Sequence, residues 1–330
     1  DIESPPTSIN YGKIGDTFQL NTTITDNNLD TCWYDYNTTN TTITGCVTGV
    51  KNSTNVAIET GNTAITIYAN DSVGNENSTT VNFGFNVLME SETHNASTME
   101  TASEVFSVNV TANSSLTAVT LDYNGTDYSL TSQGSGIWNT TIDIPTGVQN
   151  NTYKYDFTYA ATTISSGNFY QDVTVLNFSR CGTLTDEFIN FTYVNENNET
   201  AIPGSMPSST FEYYLGDGTV NKSVTSSNST ESLNYTFCST AGTRNLYVDY
   251  RIQYESTGYP QRVAEPTVVT LTNSSQNKVL YLLPTADGIY VTFQVINVAE
   301  QLLTGVIINA TRLVGAAQQL VGQGITDSSG

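Results

Sequence analysis

Four cysteines, one histidine and many asparagines followed two positions later by serine or threonine are the residues of this 330-residue sequence whose types and spacing could do chemistry. A thiol or hydroxyl nucleophile needs a base within hydrogen-bond reach. The one histidine, His94, stands in a polar run between Thr93 and Asn95, where it reads as a surface residue. No Cys-x-x-Cys, no His-Glu-x-x-His and no glycine-rich phosphate loop occurs. The acids are scattered through loop-like stretches, so no carboxylate pair suited to glycoside hydrolysis stands out. The sequence offers no catalytic residue and requires no cofactor, and the protein is expected not to be an enzyme.

Covalent modification is the chemistry the pattern favours. Asn-x-Ser/Thr triplets lacking proline at x occur at Asn21, Asn37, Asn40, Asn52, Asn70, Asn77, Asn95, Asn109, Asn113, Asn124, Asn139, Asn150, Asn177, Asn190, Asn198, Asn221, Asn228, Asn234, Asn273 and Asn309. With 35 Asn and 85 Ser or Thr among 330 positions, chance supplies about nine such triplets. The excess has two readings: clustering of Asn with Thr in polar strands, or an exterior protein carrying covalent N-glycans. Placement favours the second. Asn109 lies between Val108 and Val110, Asn190 between Ile189 and Phe191, and Asn234 between Leu233 and Tyr235, so strand alternation sends the apolar neighbours inward and the amide outward.

The cysteines suit two disulfides in an oxidising exterior. Cys32 with Cys46 and Cys181 with Cys238 is the expected pairing, because each bridge then stays within one module. For metals, oxygen-rich loops could hold Ca2+: Asp26 and Asp30 with Asn27 and Asn28, and Asp71 with Asn75 and Glu76. The competing reading is that these residues form Asx turns at strand ends.

Composition narrows partners. The net charge of −21 reflects only 10 Lys and Arg against 31 acids. Phosphate would repel such a chain, which argues against nucleic acid. No leader peptide and no apolar run of spanning length is visible. Any membrane attachment would come through a segment outside these residues, and the chain reads as a mature exported product or a fragment of one.

The elements that position these residues read as strands throughout. Val81, Phe83, Phe85 and Val87 alternate with polar residues, as do Phe106, Val108 and Val110, then Ile189, Phe191 and Tyr193, then Leu246, Val248, Tyr250 and Ile252. Asn124-Gly125 is a hairpin turn signal. The fold class is all-β, built of tandem immunoglobulin-like β-sandwich domains at 1–88, 89–178 and 179–275, with a partial sandwich at 276–330. Met89 to Ser103 lacks periodicity and reads as a linker. In the last segment Val279, Tyr281 and Leu283, then Ile289, Val291, Phe293 and Val295, then Val306 and Ile308 read as strands; Ala310 to Leu320 fits a helix or a strand.

Two stretches carry family resemblances. The segment Tyr68-Ala69-Asn70-Asp71-Ser72-Val73-Gly74-Asn75, following the aromatic run after Cys32, resembles the closing turn of immunoglobulin-like repeats in large archaeal and bacterial cell-surface proteins of surface-layer or filament type. Leu303-Thr304-Gly305-Val306 and Thr326-Asp327-Ser328-Ser329-Gly330 resemble carboxypeptidase regulatory-like and transthyretin-like modules, in which the second motif is an internal turn. That resemblance implies a further strand, supplied either past Gly330 or by another subunit. Together these expectations describe a glycosylated, extracellular, cell-surface structural protein that forms homo-oligomers or polymers through strand or loop contacts. The alternative is an adhesin or viral receptor-binding fibre that recognises a glycan or protein ligand.

Overall fold

A computed structural model describes residues 1–59, 61, 64–147, 150–159, 161–288 and 292–330. Among the described residues every regular element is a strand except one 3-10 turn at Thr285–Asp287. The chain divides into two compact units, one made of Asp1–Ala96, Glu104–Ile142 and Asn150–Asp172, the other of Ser97–Ser103, Asp143–Gln149 and Val173–Gly330. Both are built from β-sandwiches, the all-β tandem architecture that the alternation implies.

The first unit begins with a sandwich whose smaller sheet joins Ile2–Ser4, Thr17–Thr23 and Lys51–Ala57. Its other sheet has the order Thr39–Thr42, Leu29–Tyr36, Ala64–Asp71, Glu76–Asn82. Along Leu29–Tyr36 the side chains of Cys32, Tyr34 and Tyr36 are buried while Thr31, Trp33 and Asp35 point outward. The inward set packs with Phe18, Leu20, Val56, Ile65, Ile67 and Phe83, each large aliphatic or aromatic side chain gaining about 1.5–3 kcal/mol from burial.

A single strand, Gly84–Thr93, then serves two sandwiches. It pairs in parallel with Ser8–Lys13, where Ile9 faces Phe85 and Lys13 faces Met89, and antiparallel with Ser103–Ala112. The linker expected across Met89 to Ser103 is therefore not found at its start. Glu90 is the reason: it is an unpaired bulge residue, since Val110 faces Met89 and Asn109 faces Ser91. The extra residue reverses the inward parity. Val87 and Met89 are buried before it, and Glu92 and His94 turn inward after it. A second constraint acts at Gly12, where an added Cβ would lie 2.5 Å from the Phe85 ring, so a larger residue there would have to displace that buried ring.

The second sandwich completes that sheet with Ile137–Asp143 and Thr131–Gly134. Facing it are Phe169–Thr174, Asn150–Tyr159, Ala118–Tyr123 and Thr126–Ser129 in that order, with Thr162–Ser165 also on Asn150–Tyr159. Asn124 and Gly125 take φ of 52° and 82°, the left-handed pair that a two-residue hairpin needs. Phe106, Tyr123 and Tyr153 interlock by edge-to-face contacts in the core.

In the second unit, Phe178–Arg180, Asn234–Ser239, Glu187–Asn195 and Gln276–Leu282 form one sheet. Lys222–Ser232, Gly204–Tyr214, Leu246–Ser256 and Tyr259–Ala264 form the other, with Val269–Leu271 also on Leu246–Ser256. The strand read at Val279 to Leu283 belongs to this sandwich rather than to the last segment, because Gln276–Leu282 pairs in parallel with Glu187–Asn195. Ile289 and Val291 lie outside the described residues. Phe293 is not in a strand and is exposed, and Val295 bonds through its N–H to the Gly330 carbonyl. Ala310 to Leu320 is no helix: Ile307–Val314 turns at Gly315, φ 60°, into Ala317–Ile325.

Candidate functional site

The atom a glycan would modify is the side-chain Nδ2, so each acceptor can be judged by exposure and by what that nitrogen already does. Asn40, Asn77, Asn113, Asn150, Asn177, Asn198, Asn221, Asn234, Asn273 and Asn309 are exposed, and among the described residues their Nδ2 atoms donate to no protein acceptor. Asn70, Asn139 and Asn228 are half-buried with Nδ2 equally uncommitted. The remaining amides are tied down. Asn109 donates to Glu90 at 2.9 Å, Asn190 to Asn277 at 3.2 Å, Asn37 to Glu59 at 3.2 Å, Asn21 to Gln19 at 3.4 Å and Asn124 to Asn151 at 2.7 Å, while Asn95 donates to Glu104. Asn52 is buried, donating to the Val50 carbonyl at 3.2 Å.

Asn109 and Asn190 do lie opposite buried neighbours, Val108 and Val110, and Ile189 and Phe191. Asn234 differs. It is exposed beside buried Tyr235, but Leu233 on its other side is 62% exposed. Leu233 sits between Lys222–Ser232 and Asn234–Ser239, where alternation no longer directs its side chain.

The outer face of the four-stranded sheet in the first sandwich carries a stacked aromatic pair. Trp33 stands opposite Tyr68 in register, their rings stacked at 5.4 Å and 3°. The same row continues to Thr42 on one side and Ser78 on the other. The next row reads Asn40, Asp35, Thr66, Thr80, with the Thr66 and Thr80 hydroxyls 2.9 Å apart; the row beyond Tyr68 reads Thr31, Asn70, Glu76. Two sequon asparagines, Asn40 and Asn70, thus flank one aromatic pair.

The cysteines pair as expected, Cys32 with Cys46 and Cys181 with Cys238, at Cα separations of 6.2 and 5.0 Å, within ordinary disulfide reach. The two candidate calcium loops are neighbours: the Asn28 carbonyl accepts the Ser72 amide at 3.0 Å, and Asp26 and Asp71 line one pocket with Asn75 and Glu76. Asp26 accepts the Asn28 N–H at 2.7 Å and Asp30 the Thr31 hydroxyl at 3.2 Å, while Asp71 accepts the Val73 and Asn75 amides at 3.0 and 2.8 Å. The Asn75 side chain, followed by the loop amides, holds the Asp71 carboxyl below the usual carboxylate range. Asp26 and Asp71 thus occupy Asx turns, and among the described residues no three His, Cys, Asp or Glu gather as a metal cradle.

His94 departs from its surface reading. Its ring stacks on Phe106 at 6.1 Å, and Nδ1 lies 3.0 Å from the Glu92 carboxylate and 2.8 Å from the Tyr153 hydroxyl. Burial, reinforced by Glu92, raises the Tyr153 phenol well above its ordinary value.

Three buried carboxylates in the second unit escape sequence reasoning. Glu100, 1% exposed, accepts from Lys222, from the Gly147 amide and from the Leu176 amide at 3.0 Å. Burial pushes its carboxyl up, but the Lys222 hydrogen bond and the two amides outweigh it, and the net direction is down. Glu196 takes Arg262 on one oxygen and Arg312, at 2.9 Å, on the other. Asp143 accepts Ser103 and the amides of Asp217 and Gly218, the latter at 3.2 Å, which places Asp217 in a loop whose amides cap a buried acid. Nothing in the local sequence marks these groups, because the partners lie far apart along the chain.

No protein-family model and no curated protein matches the sequence. Among solved structures, a multi-domain segment of titin shares 10% identity at a TM-score of 0.26, over 84% of this chain and 99% of that one. The tandem Ig repeats of Dlar share 10% identity at 0.21, over 53% and 97%, and a Ca2+-stabilized, ice-binding adhesin of an Antarctic bacterium 15% at 0.20, over 81% and 72%. At such values function must be argued from this chain's own residues.

Proposed function

We propose that the chain is a structural, N-glycosylated, non-enzymatic segment of an extracellular surface layer, filament or fibre that associates with copies of itself. One observation carries this reading: among the described residues ten sequon amides are exposed with an uncommitted Nδ2, and they are spread over both units. Two disulfides support an oxidising exterior. The surface-layer assignment rests on the resemblance of Tyr68 to Asn75. Electron microscopy of native material, combined with intact mass, tests the proposal. Ordered arrays or filaments and a mass above 35.7 kDa are expected; a monomer of bare mass would overturn it.

The adhesin reading draws on outward aromatic side chains, including Tyr170 at 62% exposure. Saturable binding of the isolated monomer on a glycan array would favour it over assembly.

A further inference from the structure

We propose that the saccharides carried by Asn40 and Asn70 cover the Trp33–Tyr68 pair, so that this sheet face is completed by the protein's own glycans. The inference rests on the glycosylated reading above and adds where two of the glycans lie. Trp33 and Tyr68 project outward because Cys32, Tyr34 and Ile67 take the inward positions of the same strands. Two large, half-exposed rings on the solvent side of an otherwise Thr- and Ser-rich sheet are an apolar feature.

Register places both acceptors within reach. Asn70 follows Tyr68 by two positions on one strand, about 6.6 Å along the sheet. Asn40 faces Asp35 and is diagonal to Trp33, roughly 7–8 Å away. The Asn70 amide is already oriented, since its Oδ1 accepts the Thr31 N–H at 2.9 Å and Nδ2 occupies the other branch. Asn40 is exposed.

The chemistry is complementary. One face of a pyranose ring presents C–H groups, weakly positive and apolar, which suit the negative face of an aromatic ring. Its hydroxyls point sideways, and Asp35, Thr66, Ser78 and Glu76 supply acceptors and donors in the surrounding rows. A covalently tethered sugar also arrives at high effective concentration.

The test uses the full chain from a glycosylating host carrying Trp138→Phe, which leaves Trp33 as the sole tryptophan. Glycopeptide mapping reads occupancy at Asn40 and Asn70, and acrylamide quenching with the emission maximum reads the cover over Trp33. Occupied acceptors are expected, with lower quenching and bluer emission than in the Asn40→Gln/Asn70→Gln variant, whose circular dichroism should be unchanged. Occupied acceptors with identical quenching would overturn the packing and leave the glycosylated reading standing. Bare Asn40 and Asn70 beside occupied sites elsewhere would overturn the packing too, and a chain without any glycan would overturn both. A bare chain in which free hexose shifts Trp33 emission would replace the tethered sugar with an external one.

Discussion

The ammonium of Lys222 closes on the carboxylate of Glu100 across 122 positions of sequence, and Glu100 is almost fully buried there. Removing one partner of such a pair is costlier than the pair is worth, because the other charge is left without compensation. Lys222→Ala is expected to lower unfolding free energy by about 3–5 kcal/mol, read by urea denaturation. Glu100→Gln should cost less, and a Lys222→Ala variant as stable as the parent would refute the assignment.

The same pair sets an acid response. The folded Glu100 carboxyl lies below its ordinary value of 4.5, so the folded state favours the charged form. Its contribution is complete above the unfolded value and is lost as pH falls through the folded one. Stability measured from neutral pH into the range below 4.5 should therefore fall less steeply in Glu100→Gln than in the parent.

Loop length ranks the two disulfides. Cys32–Cys46 spans 14 positions and Cys181–Cys238 spans 57, which in the chain-entropy account is worth about 3 and about 4 kcal/mol. Paired Cys→Ala variants compared by thermal unfolding should show the greater loss for the second bridge.

Gly12 permits the approach of Phe85. Gly12→Val is expected to destabilise by about 1–3 kcal/mol through overpacking, with Gly84→Ala, which meets no neighbour, as the mild control. Equal midpoints for the two variants would contradict the close approach.

Glycopeptide mapping of the folded, native chain should find Asn52 bare and Asn113, Asn234 and Asn273 occupied. The buried Asn52 amide cannot accept a sugar without breaking its bond to Val50. A glycan at Asn52 would show that modification precedes folding.

What was legible in the sequence, and what was not, follows from the range of each interaction. Strands such as Phe106 to Val110 and Ile189 to Tyr193 declare themselves because alternation is local. The Asn124-Gly125 turn is equally local. Glu90 hid the second half of Gly84–Thr93, since one unpaired residue reverses the parity that alternation depends on, and His94 was misplaced with it. Glu100 with Lys222, and Glu196 with Arg262 and Arg312, depend on pairings over 66 to 122 positions. The helical option at Ala310 to Leu320 yielded to Gly315, whose φ of 60° makes a hairpin. The outward Trp33 was implicit in Cys32 and Tyr34, but only the register to Tyr68, Asn70 and Asn40 makes a surface of it.

The strand Gly84–Thr93 has a mechanical consequence. Tension applied along it would load its backbone hydrogen bonds to Ser8–Lys13 and Ser103–Ala112 in shear, many at once, instead of peeling them one by one. Two sandwiches that share a strand have no slack tether between them to take up extension, so a pull on one is transmitted to the other. A surface protein built this way would behave as a stiff strut over its first unit, resisting stretch through cooperative sliding of β-ladders.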